Sequence, residues 1–326
     1  MFQNDAPPNR PRDVALQRMN VERSPADSGR ASPSRVIAAL VAVYVVWGST
    51  YLAIRYSVQS IPPFVMAGSR FLLSGAILYA WARLRGSEAP STRQWRDATI
   101  TGLLLLCGGN GAVAWAEERV PSGITALLVA VVPLWMVLID WLRPNGVRPR
   151  ASAAIGIVLG LCGLFLLVNP RAVSGGADAD LAGSLVLVAG SLSWAAGSIY
   201  NRVGALPKSA VMSTAMQMIS GSVALLMIAV VAGELGRFDP HAISRASALG
   251  WLYLVTFGSL VGFTAYIYLL RATTPAKAST YAYVNPLVAV LLGWAIAHEA
   301  VTGRTLVAAT VILAGVAMIT LGSERV

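Results

Sequence analysis

The sequence predicts an all-α integral membrane protein with ten transmembrane helices, arranged as two inverted five-helix repeats. Three observations carry the prediction. The 326 residues are 56% hydrophobic and only 12% charged, with a mean hydropathy of +0.64, where a soluble chain carries roughly 25% charge. The apolar residues gather into ten runs, and a run of about 20 residues makes ~30 Å of helix, the thickness of a bilayer's hydrocarbon core. Landmarks in the first five runs recur in the second five at a nearly constant offset.

Taken in order, residues 1–34 are rich in Pro, Arg, Ser and Asp and lack periodicity, which predicts a disordered cytoplasmic tail. The first apolar run begins only near Val36 and has no small-residue cleavage site after it, so a signal peptide is not expected. The runs then cover about 36–55, 64–83, 97–116, 122–142, 151–169, 181–200, 210–233, 248–270, 277–297 and 304–322. Short connections holding Pro or Gly separate several of them, such as Ile61-Pro62-Pro63 and Arg143-Pro144-Asn145-Gly146. No soluble domain fits between them.

The halves echo each other. Gly48-Ser49-Thr50-Tyr51 matches Gly197-Ser198-Ile199-Tyr200 at an offset of 149, and Ser74-Gly75 matches Ser220-Gly221 at 146. Pro133 matches Pro286 at 153, and Gly163 matches Gly315 at 152. Each pairs span n with span n+5. Five is odd, so the second copy enters the membrane from the opposite side. That divides the chain into a tail (1–34), a first repeat (35–174) and a second repeat (175–326), the inverted arrangement of many secondary transporters, with the substrate site expected near the midplane between the halves.

The residues that carry a family resemblance are Val-Val-Trp-Gly-Ser-Thr-Tyr (45–51), Pro-Pro-Phe (62–64) with Gly-Ser-Arg-Phe (68–71), Val-Pro-Ser-Gly (120–123) and Thr-Tyr-Ala-Tyr-Val-Asn-Pro (280–286). Over about Val36 to Gly322 the chain resembles the EamA-type permeases of the drug/metabolite transporter superfamily. The resemblance implies two inverted five-span repeats and export of small metabolites or drugs from the cytoplasm. Related four-span multidrug carriers use a membrane-embedded Glu in their first helix. Neither the first nor the sixth span here holds one, so that proton mechanism does not carry over.

Charge placement predicts orientation. With the N-terminus in the cytoplasm, 18 of the 25 Lys and Arg lie on the inner side and six on the outer, while Arg70 alone lies inside a span. The positive-inside rule therefore puts both termini in the cytoplasm, the membrane being the cell (inner) membrane. The net charge of +10 is then a matter of topology, and no nucleic-acid partner is expected. The expected partners are lipid and a small-molecule substrate. Gly156-x-x-x-Gly160 fits the small-xxx-small pattern of close helix contact, within the chain or between two copies.

An intramembrane Arg costs ~2.5 kcal/mol or more unless paired or hydrated. Arg70 is accordingly either a cation that orients a substrate carboxylate or carbonyl, or a clamp on carbonyls freed by a broken helix. Trp47, Tyr51, Trp194, Tyr200 and Tyr266 are the deeper aromatics expected to wall an apolar cavity, against a competing role in packing. Asn110, within Gly108-Gly109-Asn110-Gly111, and Asn285, beside Tyr283 and Pro286, are the candidate polar anchors, Asn110 serving equally as an interhelical bond. Pro133 and Pro286 are candidate hinges, since each removes a backbone hydrogen bond in mid-span. Glu118 and Glu299, at outer span ends, are the candidates for ion coupling, against plain solvated loop charge.

Enzyme chemistry finds no support. His241 and His298 lack metal-ligand spacing. No Gly-rich phosphate loop followed by Lys-Ser/Thr is present. Cys107 and Cys162 lie within apolar runs as small hydrophobes. No cofactor and no metal are expected. The competing functional class is a non-transporting membrane scaffold or embedded enzyme, which would lack both a continuous path and solute flux.

Overall fold

The computed structural model describes residues 33–142, 151–168, 180–272 and 280–323. The expected tail lies almost wholly outside these, as do the 143–150 and 173–176 connections. Seven helices are long and apolar enough to cross a membrane, and three shorter apolar helices accompany them. They are α1 (Pro33–Ser57), α2 (Pro63–Leu84), α3 (Thr92–Ala116), α4 (Ser122–Leu142), α5 (Ala151–Val168), α6 (Leu181–Val203), α7 (Ala210–Val231), α8 (from Arg245 to Ala272), α9 (Tyr281–Ala297) and α10 (Gly303–Ser323).

Local chemistry sets the helix starts. Ser91 closes a capping box with Gln94 at the start of α3, while Asp180 and Ser209 accept from backbone N–H groups three residues on, at the starts of α6 and α7. Pro63 occupies the first turn of α2, where its missing N–H is harmless. The N-terminus of α2 receives its anion from far away in the chain: Glu234 Oε2 accepts from the backbone N–H groups of Phe64 and Val65, both at 3.0 Å.

Packing repeats under exchange of the halves. The strongest contacts pair α2 with α7 and α5 with α10, each helix with its own counterpart. α4 and α9, also counterparts, pack on each other, and other main contacts come as couples: α1 on α9 and α6 on α4, α3 on α6 and α8 on α1, α7 on α3 and α2 on α8. Each couple is one contact seen twice. Only a pseudo-twofold relation between two five-helix units produces that list. At the α5–α10 crossing, a Cβ on Gly156 would come within 2.5 Å of the Gly315 carbonyl oxygen, and one on Gly315 within 2.6 Å of the Gly156 carbonyl oxygen. The small-residue motif of α5 is thus used inside the chain, where it lets two backbones touch. Phe165, Val158 and Leu161, on the same helix, are exposed, as expected of a face turned to lipid.

Both halves also share a departure from the α-helix. Leu103–Asn110 in α3 and Leu254–Val261 in α8 are π-helical, eight residues each. Wider turns leave carbonyls poorly paired, and side chains from the neighbouring repeat reach them. Ser193 Oγ of α6 donates to the Leu104 carbonyl at 2.8 Å, and Trp47 Nε1 of α1 donates to the Gly258 carbonyl at 3.2 Å. The prolines are less alike. Pro133 lies just after the point, Ala130–Val131, where α4 breaks into two segments. Pro286 lies inside α9 without interrupting it, about one and a half turns after its start at Tyr281 and closer to the middle of the helix than to its end.

Candidate functional site

A cavity of about 580 Å³ occupies the centre of the bundle between the two repeats. Helices of both repeats build its wall, with α1, α3, α4, α6, α8 and α9 supplying most of the residues and α2 supplying Arg70 and Phe71. Trp47, Tyr51, Arg70, Asn110, Trp194 and Asn285 all line this space, with Pro133 and Pro286. The site thus gathers residues from six spans of both halves.

Three polar side chains define its chemistry. Arg70 is 5% exposed and its Nη2 donates to Asn110 Oδ1 at 3.3 Å. Its guanidinium lies 4.1 Å from the centroid of the Phe71 ring, a contact that offsets about 0.5–2 kcal/mol of the charge's desolvation. Arg70 Nε nevertheless has no hydrogen-bond partner, and neither has Asn285 Oδ1. Both atoms are covered by protein, so each unmet bond costs about 1–3 kcal/mol where it stands. A solute acceptor for Arg70 or donor for Asn285 recovers that cost once the wall shifts to uncover these atoms.

Aromatic rings supply the rest of the wall. Trp47 makes edge contacts with Phe263 and Tyr281 at centroid distances of 5.5 and 5.1 Å, and Tyr266 lies 5.1 Å from Trp47 and 5.7 Å from Tyr281. Tyr281 and Phe263 face the cavity, while Tyr266 stands behind them and supports the cluster. Phe263, Phe71, Ser191 and Ser259 are lining residues that sequence reasoning did not single out. Tyr281 lies four residues before Asn285, so helical spacing puts the two on one face, and both line the cavity, while the favoured candidate Tyr283 does not.

The other candidates take different posts. Tyr200 OH donates to Asp97 Oδ1 at 3.1 Å, where the backbone N–H of Ala205 also binds Oδ2 at 2.7 Å. It ties the end of α6 to the start of α3. Tyr283 OH reaches the Val316 carbonyl of α10 at 3.4 Å, away from the cavity. Glu118 is exposed. Glu299 accepts from the Ser122 N–H (2.8 Å), the Ser122 hydroxyl (2.9 Å) and the Gly123 N–H (3.1 Å), and pairs with Arg55 Nε at 3.3 Å. It is an anion held at the N-terminus of α4, the positive end of that helix.

The cavity is unequal at its two ends. At one end its lining includes Asp140 and the exposed Arg202. At the other it stops at Ile54, Val113 and Ala126. Beyond Val113 and Ala126, one helical turn on, come Glu117 and Ser122, with Arg55 next to Ile54. There Arg55 Nη1 donates to the carbonyls of Glu117 (3.1 Å) and Val120 (3.2 Å), and with Glu299 closes α1, α3, α4 and the end of α9 into one knot. Among the described residues no cluster of His, Cys, Asp and Glu could hold a metal ion.

Comparison with known proteins agrees with this architecture. The profile of the EamA-like transporter family matches twice, over residues 34–169 and 181–321. The inner membrane transporter YedA of Escherichia coli (strain K12) is 42% identical over 285 residues, 87% of this chain and 90% of that protein. Protein PecM of Dickeya dadantii (strain 3937) is 25% identical over 268 residues, covering 80% and 84% of the two chains. A crystal structure with 20% sequence identity superposes with a TM-score of 0.60, covering 90% of this chain and all of the other. That likeness concerns the fold alone.

Proposed function

The chain belongs to the EamA-like transporter family and is a membrane transporter; from that premise we propose that it exports small metabolites, amino acids or related compounds, or drugs by alternating access. The two five-helix units rock about the central cavity, which faces the cytoplasm here and is closed on the outer side by the Arg55–Glu299 knot. The observation that carries this reading is the pair of unmet polar atoms, Arg70 Nε and Asn285 Oδ1, in the wall of a closed-ended, aromatic cavity between the repeats. Arg70 offers a fixed cation to a carboxylate or carbonyl, Asn285 an acceptor to an amine or hydroxyl, and the Trp47 cluster an apolar face for the solute's body. The placement of Lys and Arg supports a cytoplasmic Arg202 end of the cavity, and export is what the family resemblance implies.

The test is reconstitution into liposomes with a panel of amino acids and lipophilic amines, measuring counterflow of each labelled solute. Saturable counterflow of a carboxylate-bearing solute, reduced by Arg70→Gln at equal protein level, is the expected result. Absence of flux for every solute in the panel, with protein intact in the membrane, leaves the scaffold reading in its place.

A further inference from the structure

Glu117 stands one residue beyond α3, at the closed end of the cavity, and is 1% exposed. Neither of its carboxylate oxygens has a hydrogen-bond partner. Ionised carboxylates in folded proteins are paired, bonded or wet; one that is none of these costs several kcal/mol. The cations nearby are committed elsewhere. Arg55 turns to the Glu117 main-chain carbonyl and to the Glu299 carboxylate; Arg70 gives Nη2 to Asn110 and lies over the Phe71 ring, and its unmet Nε makes no bond to either Glu117 oxygen. Tyr51 of α1 and the like charge of Glu299, just past α9, lie within electrostatic reach of the side chain. On α6, Asp180 is bonded to its own helix start through the Gly183 N–H at 2.6 Å. Glu234 is bonded to the start of α2, and Arg119 lies 4.5 Å over the Trp115 ring. Burial first, and Glu299 second, push the Glu117 carboxyl well above the ordinary carboxylate range, with Arg55 and Arg70 opposing.

We propose that Glu117 is a proton-binding site whose occupancy holds the outer end of the transporter closed. This rests on the alternating-access reading. When the outer end is open, water reaches the side chain and the carboxylate is stable. Closing strips that water, so the carboxylate takes one proton from water on the outer side and is buried as the neutral acid. Opening returns one proton to water. Each closure at the Arg55–Glu299 knot thus binds a proton, and an outside-acid gradient favours it. The sign follows from linkage: the closed form has the higher carboxyl pKa, so it gains on the open form as pH falls and loses as pH rises, until that raised pKa is passed.

Two measurements on the full chain test this. Infrared difference spectra of the purified wild type near neutral pH are expected to show the carbonyl stretch of a protonated carboxylic acid, sensitive to deuteration, and Glu117→Gln is expected to remove it. Absence of the band, or its survival in Glu117→Gln, overturns the proposal. The second measurement uses Ala116→Cys, with Cys107 and Cys162 replaced by Ala, labelled in intact cells by a membrane-impermeant maleimide. After correction for the pH dependence of thiol reactivity, labelling is expected to rise with external pH by up to about tenfold per unit and then level off. Glu117→Gln should make it flat, and Glu118→Gln should leave the rise in place. Labelling that is flat in the parent, or still rising in Glu117→Gln, overturns the proposal. Flux without the infrared band sinks only the proton site; the band and the pH-dependent labelling without any flux sink only the transport reading.

Discussion

Glu299→Ala tests the closed end of the bundle most directly. The substitution removes an anion that accepts two backbone N–H bonds and one hydroxyl bond at 2.8–3.1 Å and pairs with Arg55 at 3.3 Å. Hydrogen bonds to a charged group contribute about 1.5–3 kcal/mol each when the donors are left buried. The Glu299 side chain is 10% exposed, so the two α4 N–H groups count nearly in full. The Arg55 side chain is 32% exposed, and water takes over much of its share, leaving roughly 1 kcal/mol for the ion pair. Water also recovers part of the helix-start bonds once the side chain is gone, so the net loss is about 3–4 kcal/mol. Glu299→Gln keeps one acceptor oxygen and loses the charge, for about half that effect. Equilibrium denaturation in mixed micelles should rank wild type above Gln above Ala, with the exposed Glu118→Ala within about 0.5 kcal/mol of wild type. A Glu299→Ala protein as stable as Glu118→Ala would refute the view that Glu299 is a structural anion at the start of α4.

Other expectations follow from the same geometry. Arg70→Gln should reduce counterflow of carboxylate-bearing solutes at least about tenfold, the loss of one charged contact worth ~1.5 kcal/mol, while sparing neutral solutes; equal loss for both kinds would show a structural role instead. Gly156→Val forces a side chain into the Gly315 backbone and should destabilise the α5–α10 pair by about 1–3 kcal/mol or more, read as a lower midpoint in the same denaturation assay. Pro286→Ala restores a backbone bond in α9 and should change turnover more than solute affinity; a changed affinity with unchanged turnover would remove Pro286 as a hinge.

How much of this was legible in the sequence depends on the range of the interaction concerned. Ten spans and their repeat could be read directly, because burial in lipid demands about 20 apolar residues wherever a chain crosses. The membership of Trp47, Tyr51, Arg70, Asn110, Trp194 and Asn285 in one cavity followed from their depth within spans, since inverted repeats bring equal depths together. Tyr200 lies three residues from the end of α6 and meets Asp97, while Tyr283 turns to α10 because depth says nothing of azimuth. The role of Glu299 depends on residues 177 and 176 positions away, beyond any local pattern. Glu117 and Glu118 are neighbours in sequence, yet one is buried and the other exposed, a difference that a pair of adjacent acids at a span end does not reveal. The π-helical stretches share no common pattern: Leu103–Asn110 ends in Gly108-Gly109-Asn110, while Leu254–Val261 holds the single Gly258.

Those two stretches have a consequence for how the chain tolerates change in length. In a regular helix, losing one residue turns everything beyond it by about 100°, which would swing a buried face such as Val113 and Ala114 out toward lipid. A π-helical turn is an α-helix with one residue too many. Deleting a single position between Leu103 and Asn110, or between Leu254 and Val261, therefore returns the segment to regular winding and leaves both flanking faces pointing as they did. In these spans the bundle contains, at matching places in each half, the two windows where a one-residue gap leaves the helix in phase.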